Sequence, residues 1–437
     1  MVNTSLKKLS LLEIISIAVG TMIGASIFSI FGLGAKLAGS NLPEAFLLSG
    51  FFALIVAYSY SKLSSKIVSN AGPIAFILKG LGNNLFTRSL SVLMWLTYVV
   101  SISLFAKGFT GYFLPLLGIP ITYLSESLTI ILLVSVFTAL NFFGSKAVGK
   151  AEFYIVLTKL SILGVFVLFG VLKIRGVNLL PQTDISHIQG LLNASVIFFL
   201  SYMGFGLITN ASENVVNPKK NVPKAIFISV FVVIVIYVLI SLVAIGDLSV
   251  SSLVSAQENA LAIAAMPFLG RFGFFLISIG ALFSISSALN ATVYGGANIS
   301  YSLAKKGELP KLFERKIWFG GSEGLYITAF LSILFSLFFN LTDIASIISS
   351  IFTLIYISVI VSHLRLIKLV GGKKNLIIFN LVIISLVFLA SLYYQIKTTR
   401  FAIYGTLIVL FSTIILEFLL SKNLLRKLNL RKFIGKL

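Results

Sequence analysis

The side chains able to do chemistry are few and scattered. Cysteine is absent, the two histidines stand at positions 187 and 363, and 13 acidic residues are spread over 437 positions. That inventory supplies no thiolate, no cluster with metal-ligand spacing, no paired carboxylates and no nucleophile beside a base. No metal and no cofactor is expected, and a membrane-embedded enzyme would lack its machinery. Three other features stand out: small residues in GTMIGASIF (Gly20 to Phe28), glycines in SYMGFG (Ser201 to Gly206), and Lys159 inside the apolar run EFYIVLTKLSILGVFVLFG.

The chemistry open to the glycine segments is that of exposed backbone. Gly20 and Gly24 fit a small-residue packing face between helices. They equally fit a local break, which frees N–H groups with positive dipole character at the start of its second half and C=O groups at the end of its first. Such a break suits a zwitterion. A carboxylate would sit on the amides of Gly24 to Ile27, and an ammonium would meet carbonyls near Ile23 and those of Phe199 to Tyr202. The site expected on this reading is Ile23, Gly24, Ala25, Ser26, Ile27, Phe199, Tyr202, Gly204 and Phe205, with Met203 a further wall candidate.

These segments lie within long apolar runs. The chain is 58% hydrophobic and 11% charged, with a mean hydropathy of +1.06, which no water-soluble fold can solvate. Runs near twenty residues recur, each long enough to cross about 30 Å of hydrocarbon as a helix. Spans are expected near 11–36, 43–70, 88–116, 125–146, 150–173, 189–213, 222–245, 272–302, 324–340, 343–368, 375–395 and 401–420. The start MVNTSLKKLS shows no cleavable signal pattern.

The net charge of +21 is distributed unevenly between the loops. With these boundaries 26 Lys and Arg fall on the side of the termini and six on the other, while Lys107 and Lys159 lie inside spans. Positively charged loops stay inside, so both termini are expected in the cytoplasm and nucleic acid is not an expected partner. The first and sixth spans lie five apart and therefore run in opposite directions, as two inverted five-helix repeats require. That pairing favours the binding-site reading of both breaks over packing.

The pattern Gly20, Thr21, Ile23, Gly24, Ala25, Ile27, Phe28 resembles the first-helix motif of the amino acid-polyamine-organocation superfamily. The stretch FFLSYMGFGLITNASENVVNPKKNVPKAI is similar to the family's sixth helix and following loop, through Phe198, Phe199, Gly204, Phe205, Glu213, Asn217, Pro218, Pro223 and Ile226. A third segment, Ile285 to Pro310, is similar to its eighth helix. The resemblance covers about residues 8 to 420 and is closest to prokaryotic amino acid transporters thought to be proton-coupled. It implies an all-α membrane protein of LeuT-type fold: 12 transmembrane helices, 5+5 inverted repeats, and discontinuous helices 1 and 6.

The division that follows is a cytoplasmic N-terminus at 1–10, a first repeat at 11–173, a second at 189–368, two further helices at 375–420 and a basic cytoplasmic tail at 421–437. The implied function is amino acid import across the plasma membrane by proton symport, in a monomer whose partners are the amino acid, the proton and the lipid bilayer. One departure concerns Gly206, where many relatives carry an acidic residue; a small neutral residue there is more compatible with small or apolar substrate side chains.

Lys159 lies about nine residues beyond Lys150, roughly 13 Å into the membrane at 1.5 Å per residue. Snorkelling back to the interface is a long reach for its stem. In the implied fold the fifth helix passes the first and eighth where sodium-driven members hold an ion, so a fixed ammonium would replace sodium. Its expected partners are the Gly20 carbonyl and a hydroxyl of Ser284, Ser286 or Ser287, with Ser284 preferred. Reversible protonation there could couple substrate to a proton.

Phe205 is the expected gate residue, and Glu213, near Lys219, Lys220 and Lys224, belongs either to an inner gate closed by salt bridges or to a solvated helix end. Lys107 is expected to snorkel, and His187 and His363 to serve helix ends or interfaces. A sodium-coupled or exchange transporter on the same fold remains the alternative, and a channel a further one.

Overall fold

The computed structural model describes residues 8–141, 148–174, 179–316 and 322–422, with the side chains of 25, 26, 148–153, 421 and 422 left aside. The described chain is helical, and its only strand-like pairings are isolated bridges of Leu9 with Val215 and Lys316 with Ser322. With no water to satisfy backbone groups in hydrocarbon, a helix that closes its own hydrogen bonds is what such apolar runs must form.

The first expected span is three pieces, α1 (Leu11–Met22), α2 (Ala25–Ser29) and α3 (Phe31–Ala38), followed by α4 (Leu42–Ser64) and a short α5 (Pro73–Leu81). Next come α6 (Leu85–Leu116), α7 (Tyr123–Leu140) and α8 (Val148–Val171). Then α9 (Ile185–Phe198) runs into a 3-10 stretch, Phe199–Asn214. After α10 (Pro218–Asp247) the short α11 (Val250–Ser255) and α12 (Ala260–Ala264) lead to α13 (Met266–Lys305) and α14 (Glu323–Phe338). The chain closes with α15 (Leu341–Arg365), the short α16 (Ile367–Val370), α17 (Lys374–Thr398) and α18 (Arg400–Lys422).

By length and composition eleven helical stretches of the described residues can cross a membrane, and Glu323–Phe338, at 16 residues, is a shorter apolar helix at the ninth expected position. Polar residues set the starts. Ser10 accepts from the Glu13 N–H while Glu13 accepts from the Ser10 N–H at 2.7 Å, and Asn84 with Thr87 repeats the device at α6. Two differences from expectation are local. The second span stops at Ser64 instead of 70 because Gly72 at φ +56° and Pro73 start a separate helix there. The expected fourth span ends at Leu140, and its last residues, 142–146, lie outside the described set.

The helices form a core and a periphery. The apolar windows of α6 and α15 are 78% buried, against 22% in α7, whose outer face is left to lipid. The packing partners are specific: α1 lies on the Phe199–Asn214 stretch and on α10, α4 lies along α10, and α6 along α13. Both interrupted segments therefore sit inside the bundle. That is where irregular backbone can survive at membrane depth.

Candidate functional site

Each interruption must find partners for the backbone groups it frees. In the first, α1 ends at Met22 and the chain resumes helix at Ala25. Its carbonyls are met by side chains from four other helices. Lys159 on α8 donates to the Gly20 carbonyl, and Tyr237 on α10 donates to that of Met22 at 2.5 Å. Ser284 on α13 donates to Ile23 and Gly24 at 3.1 and 3.2 Å, and Tyr112 on α6 to Phe28 at 2.9 Å. Lys159 is 2% exposed, so its ammonium has been carried into the protein and does not return to an interface.

The glycines there are held by close contact. A Cβ on Gly20 would stand 2.3 Å from Val156 Cγ2, so helix α8, which carries Lys159, lies directly against it. A Cβ on Gly24 would stand 2.9 Å from the Thr21 carbonyl oxygen and 3.2 Å from Ala288.

The second interruption has a different form. From Phe199 the helix tightens to 3-10 winding for 16 residues, where runs beyond three or four are uncommon and mark strain or a hinge. Gly204 lies on the first break: an added Cβ would be 2.7 Å from Met22 N and 3.0 Å from Thr21 C. Behind this meeting point the Tyr237 hydroxyl, bonded to Met22, also reaches the Ser201 carbonyl at 3.4 Å.

Beside the junction is a cavity of about 400 Å³, inside the roughly 300–1,000 Å³ of small-ligand sites. Gly20, Thr21 and Met22 line it from the first break, and Leu200, Ser201, Met203, Gly204, Gly206 and Leu207 from the second. Of the residues expected at the substrate site, Gly204 and the further wall candidate Met203 line this cavity. Ile23 and Ile27 are fully buried elsewhere, the Tyr202 hydroxyl is engaged by the Phe46 carbonyl at 2.8 Å, and Phe199 packs 5.4 Å from Tyr356. For Ala25 and Ser26 the side chains lie outside the described set. The cavity meets the first span at Gly20 to Met22, on the N-terminal side of Ile23 to Ile27.

Phe205 is buried beside the cavity, edge-on to Tyr60 at 5.3 Å and stacked on Tyr356 at 5.9 Å. Glu213 meets no described lysine. It accepts from the Asn70 N–H at 3.0 Å while its own N–H donates to the Asn70 side chain, locking the 3-10 stretch to the loop before α5. Ser284, expected on Lys159, is engaged by the two carbonyls of the break. The Lys107 ammonium pairs with Glu126 at the start of α7 at 2.8 Å. His363 is buried between Ser59 at 3.1 Å and the Gly371 carbonyl at 3.0 Å, and His187 lies 2.5 Å from its helix cap, Asp184.

Sequence reasoning missed the rest of the wall, contributed by Tyr60 on α4, by α6 and by Ile348, Phe352 and Tyr356 on α15. One signal was available. Met94, Tyr98, Ser101 and Phe105 fall on one face of α6 and put polar groups into an apolar run.

The family described as Amino acid permease matches over residues 9–420. The chain belongs to that family. It is 60% identical over 416 residues to an uncharacterized protein of Methanocaldococcus jannaschii, covering 95% of this chain and 96% of that one. It is 31% identical over 429 residues to the inner membrane transport protein YbaT of Escherichia coli, covering 96% and 98%. The branched-chain amino acid permease BcaP of Bacillus subtilis is 22% identical over 320 residues, 70% of this chain and 68% of that one. The permease is accordingly a multi-pass membrane transporter and not an enzyme, and its cavity lies where the two interrupted helices meet.

Proposed function

We propose that this permease imports amino acids across the plasma membrane by proton symport with alternating access, and that Lys159 takes the place of a coupling sodium. The observation that carries the reading is the buried Lys159 ammonium on the Gly20 carbonyl, a fixed cation at the break in the first span. Breaking that contact on deprotonation would free α1 to move against α8, linking a proton to the shape of the site. The family and the names of the relatives support amino acids as cargo.

The architecture proposed for it is the LeuT-type arrangement of twelve spans, 5+5 inverted, with both termini cytoplasmic. Supporting it, α1 packs on the 3-10 stretch, α4 on α10 and α6 on α13, which joins the first span to the sixth, the second to the seventh and the third to the eighth. With that orientation the cavity is in the cytoplasmic half, beneath Phe28 and Tyr112, and the state is inward-facing. The substrate would then rest beside Gly20 to Met22 and Ser201 to Leu207, and Phe205 and Glu213 would belong to the inner gate. The proposed working unit is a monomer.

The test is uptake of a panel of amino acids into sodium-free proteoliposomes under an imposed inward pH gradient. Accumulation that collapses when the gradient is dissipated is expected. Uptake that requires sodium, or that occurs only against an internal amino acid, would refute the symport reading in favour of sodium coupling or exchange.

A further inference from the structure

Charge is divided unevenly between the cavities of the protein. The wall of the central one holds no Asp, Glu, Lys, Arg or His among the described residues that line it. A second cavity, of about 290 Å³, lies at the end of the bundle away from the termini, which the proposed orientation puts outside the cell. It is enclosed by α3, by the starts of α15 and α18 and by the end of α17, and three charged residues stand on its wall: Lys36, Asp343 and Arg400. Asn340, Tyr394 and Thr399 add polar groups. The volume is at the lower edge of the roughly 300–1,000 Å³ of small-ligand sites, enough for one small molecule.

Two of these side chains are built into the protein and still open to the cavity. Asp343 and Tyr394 are each 4% exposed. The Asp343 carboxylate meets the backbone of Asn340 in its own first turn and no cation, while the Tyr394 hydroxyl bonds to no described residue. Neither group is sealed off: each keeps accessible oxygen surface, and the surface left to it is that of the cavity it lines. A carboxylate buried to that degree needs an opposite charge. Lys36 and Arg400 share its wall, yet no ion pair among the described residues includes any of the three. Both signs stand unmatched around one small space, which a ligand carrying both signs would complete.

We propose that this cavity is an outer amino acid site, in which Asp343 and the Tyr394 hydroxyl take the ammonium of the substrate while Lys36 and Arg400 take its carboxylate. The proposal rests on the amino acid transport reading and adds to it a second place of recognition, where the two charged ends are read and the side chain is not. The site also stands on a route to the first break. A third cavity, of about 260 Å³, shares Leu33, Lys36, Asn340 and Thr342 with it and reaches Ser29 and Gly32. Ser29 follows Phe28, whose carbonyl Tyr112 holds over the central cavity. Substrate gathered by its charges at the outer end would thus wait one step from the interrupted span.

The experiment is equilibrium binding of radiolabelled alanine, leucine and glutamate to the full-length purified permease, on wild type, Asp343→Asn and Lys36→Gln. Asparagine keeps the shape of the aspartate, and Lys36 is an exposed side chain, so both variants are expected to melt with the wild type when empty. An amino acid that binds the wild type is expected at two molecules per chain. In either variant it is expected at one, because losing a charge-assisted hydrogen bond weakens the outer site about 10- to 150-fold. Two molecules per chain in both variants overturns the proposal, and so does one per chain in the wild type. In the second case, stabilisation of the wild type by sodium chloride over choline chloride, lost in Asp343→Asn, would assign the carboxylate to a metal cation instead. If no probe binds the wild type, amino acid transport is the reading that fails, and the outer site falls with it.

Discussion

The two interrupted helices solve one physical problem in different ways. At the first, the backbone stops being helical between Met22 and Ala25, and side chains of Lys159, Tyr237, Ser284 and Tyr112 supply the missing donors. At the second, the backbone keeps bonding to itself by tightening into 3-10 winding from Phe199 to Asn214. A break satisfied by other helices is sensitive to what those helices do. A tightened helix is sensitive mainly to its own winding, which makes the first the more responsive to neighbouring helices and the second the better hinge.

Substitutions at the junction probe that contrast, and the largest effect is expected at Gly204. An alanine Cβ there would meet backbone of the first break at 2.7 Å, so Gly204→Ala should destabilise by about 1–3 kcal/mol and abolish uptake, seen as a lowered melting temperature and flat transport assays. Tyr237→Phe removes the donor to Met22 but keeps the ring, and should cost about 1 kcal/mol in a denaturation series. At Gly206 a Cβ would stand 3.6 Å from Tyr60, ordinary contact, so Gly206→Ala should stay within about 0.5 kcal/mol of wild type. Equal damage at Gly204 and Gly206 would erase the distinction between a glycine pressed on the first break and one facing the cavity.

The smallest effect lies where each helix ends on the far side. Glu258, whose neighbour Gln257 packs on Gly32 at the end of the first span, has its carboxyl pushed above the ordinary 4.5 by burial; Glu126 adds to the shift and Lys107 opposes it. Asp184, capping the sixth, is held at about 2 by hydrogen bonds from Ser186 and His187. The signs are opposite. Above 4.5 the folded protein keeps a proton on Glu258 that the unfolded chain releases, so stability falls as pH rises through the raised range; Asp184 instead contributes above its ordinary 3.8 and loses that contribution as pH falls towards 2. Melting curves from about pH 4 to 8 should therefore be flatter for Glu258→Gln than for wild type.

The sequence showed where these helices break more clearly than what the breaks surround. Glycines at 20, 24 and 204 mark close approach whatever their partners, and Lys159 is conspicuous in an apolar run, so the pairing of Lys159 with Gly20 is legible in the sequence. The cavity was less so. Its wall on the first span is Gly20 to Met22, set by how α1 packs on the 3-10 stretch, which no local motif encodes. Tyr60 and Tyr356 carry no local signal at all, being aromatic residues in apolar helices whose relevance comes from sharing a wall across nearly 300 residues of sequence. The same limit holds for the partner of Lys107: Glu126 lies across a turn, and position alone does not show the pair.

The role of Lys159 is tested most directly by Lys159→Ala in proteoliposomes, assayed for counterflow and for uptake driven by a pH gradient. Counterflow should persist, showing that substrate still binds and crosses, while accumulation above equilibrium is lost over the whole pH range. Accumulation by the alanine variant in response to the gradient, at a rate near wild type, would place the coupling proton elsewhere.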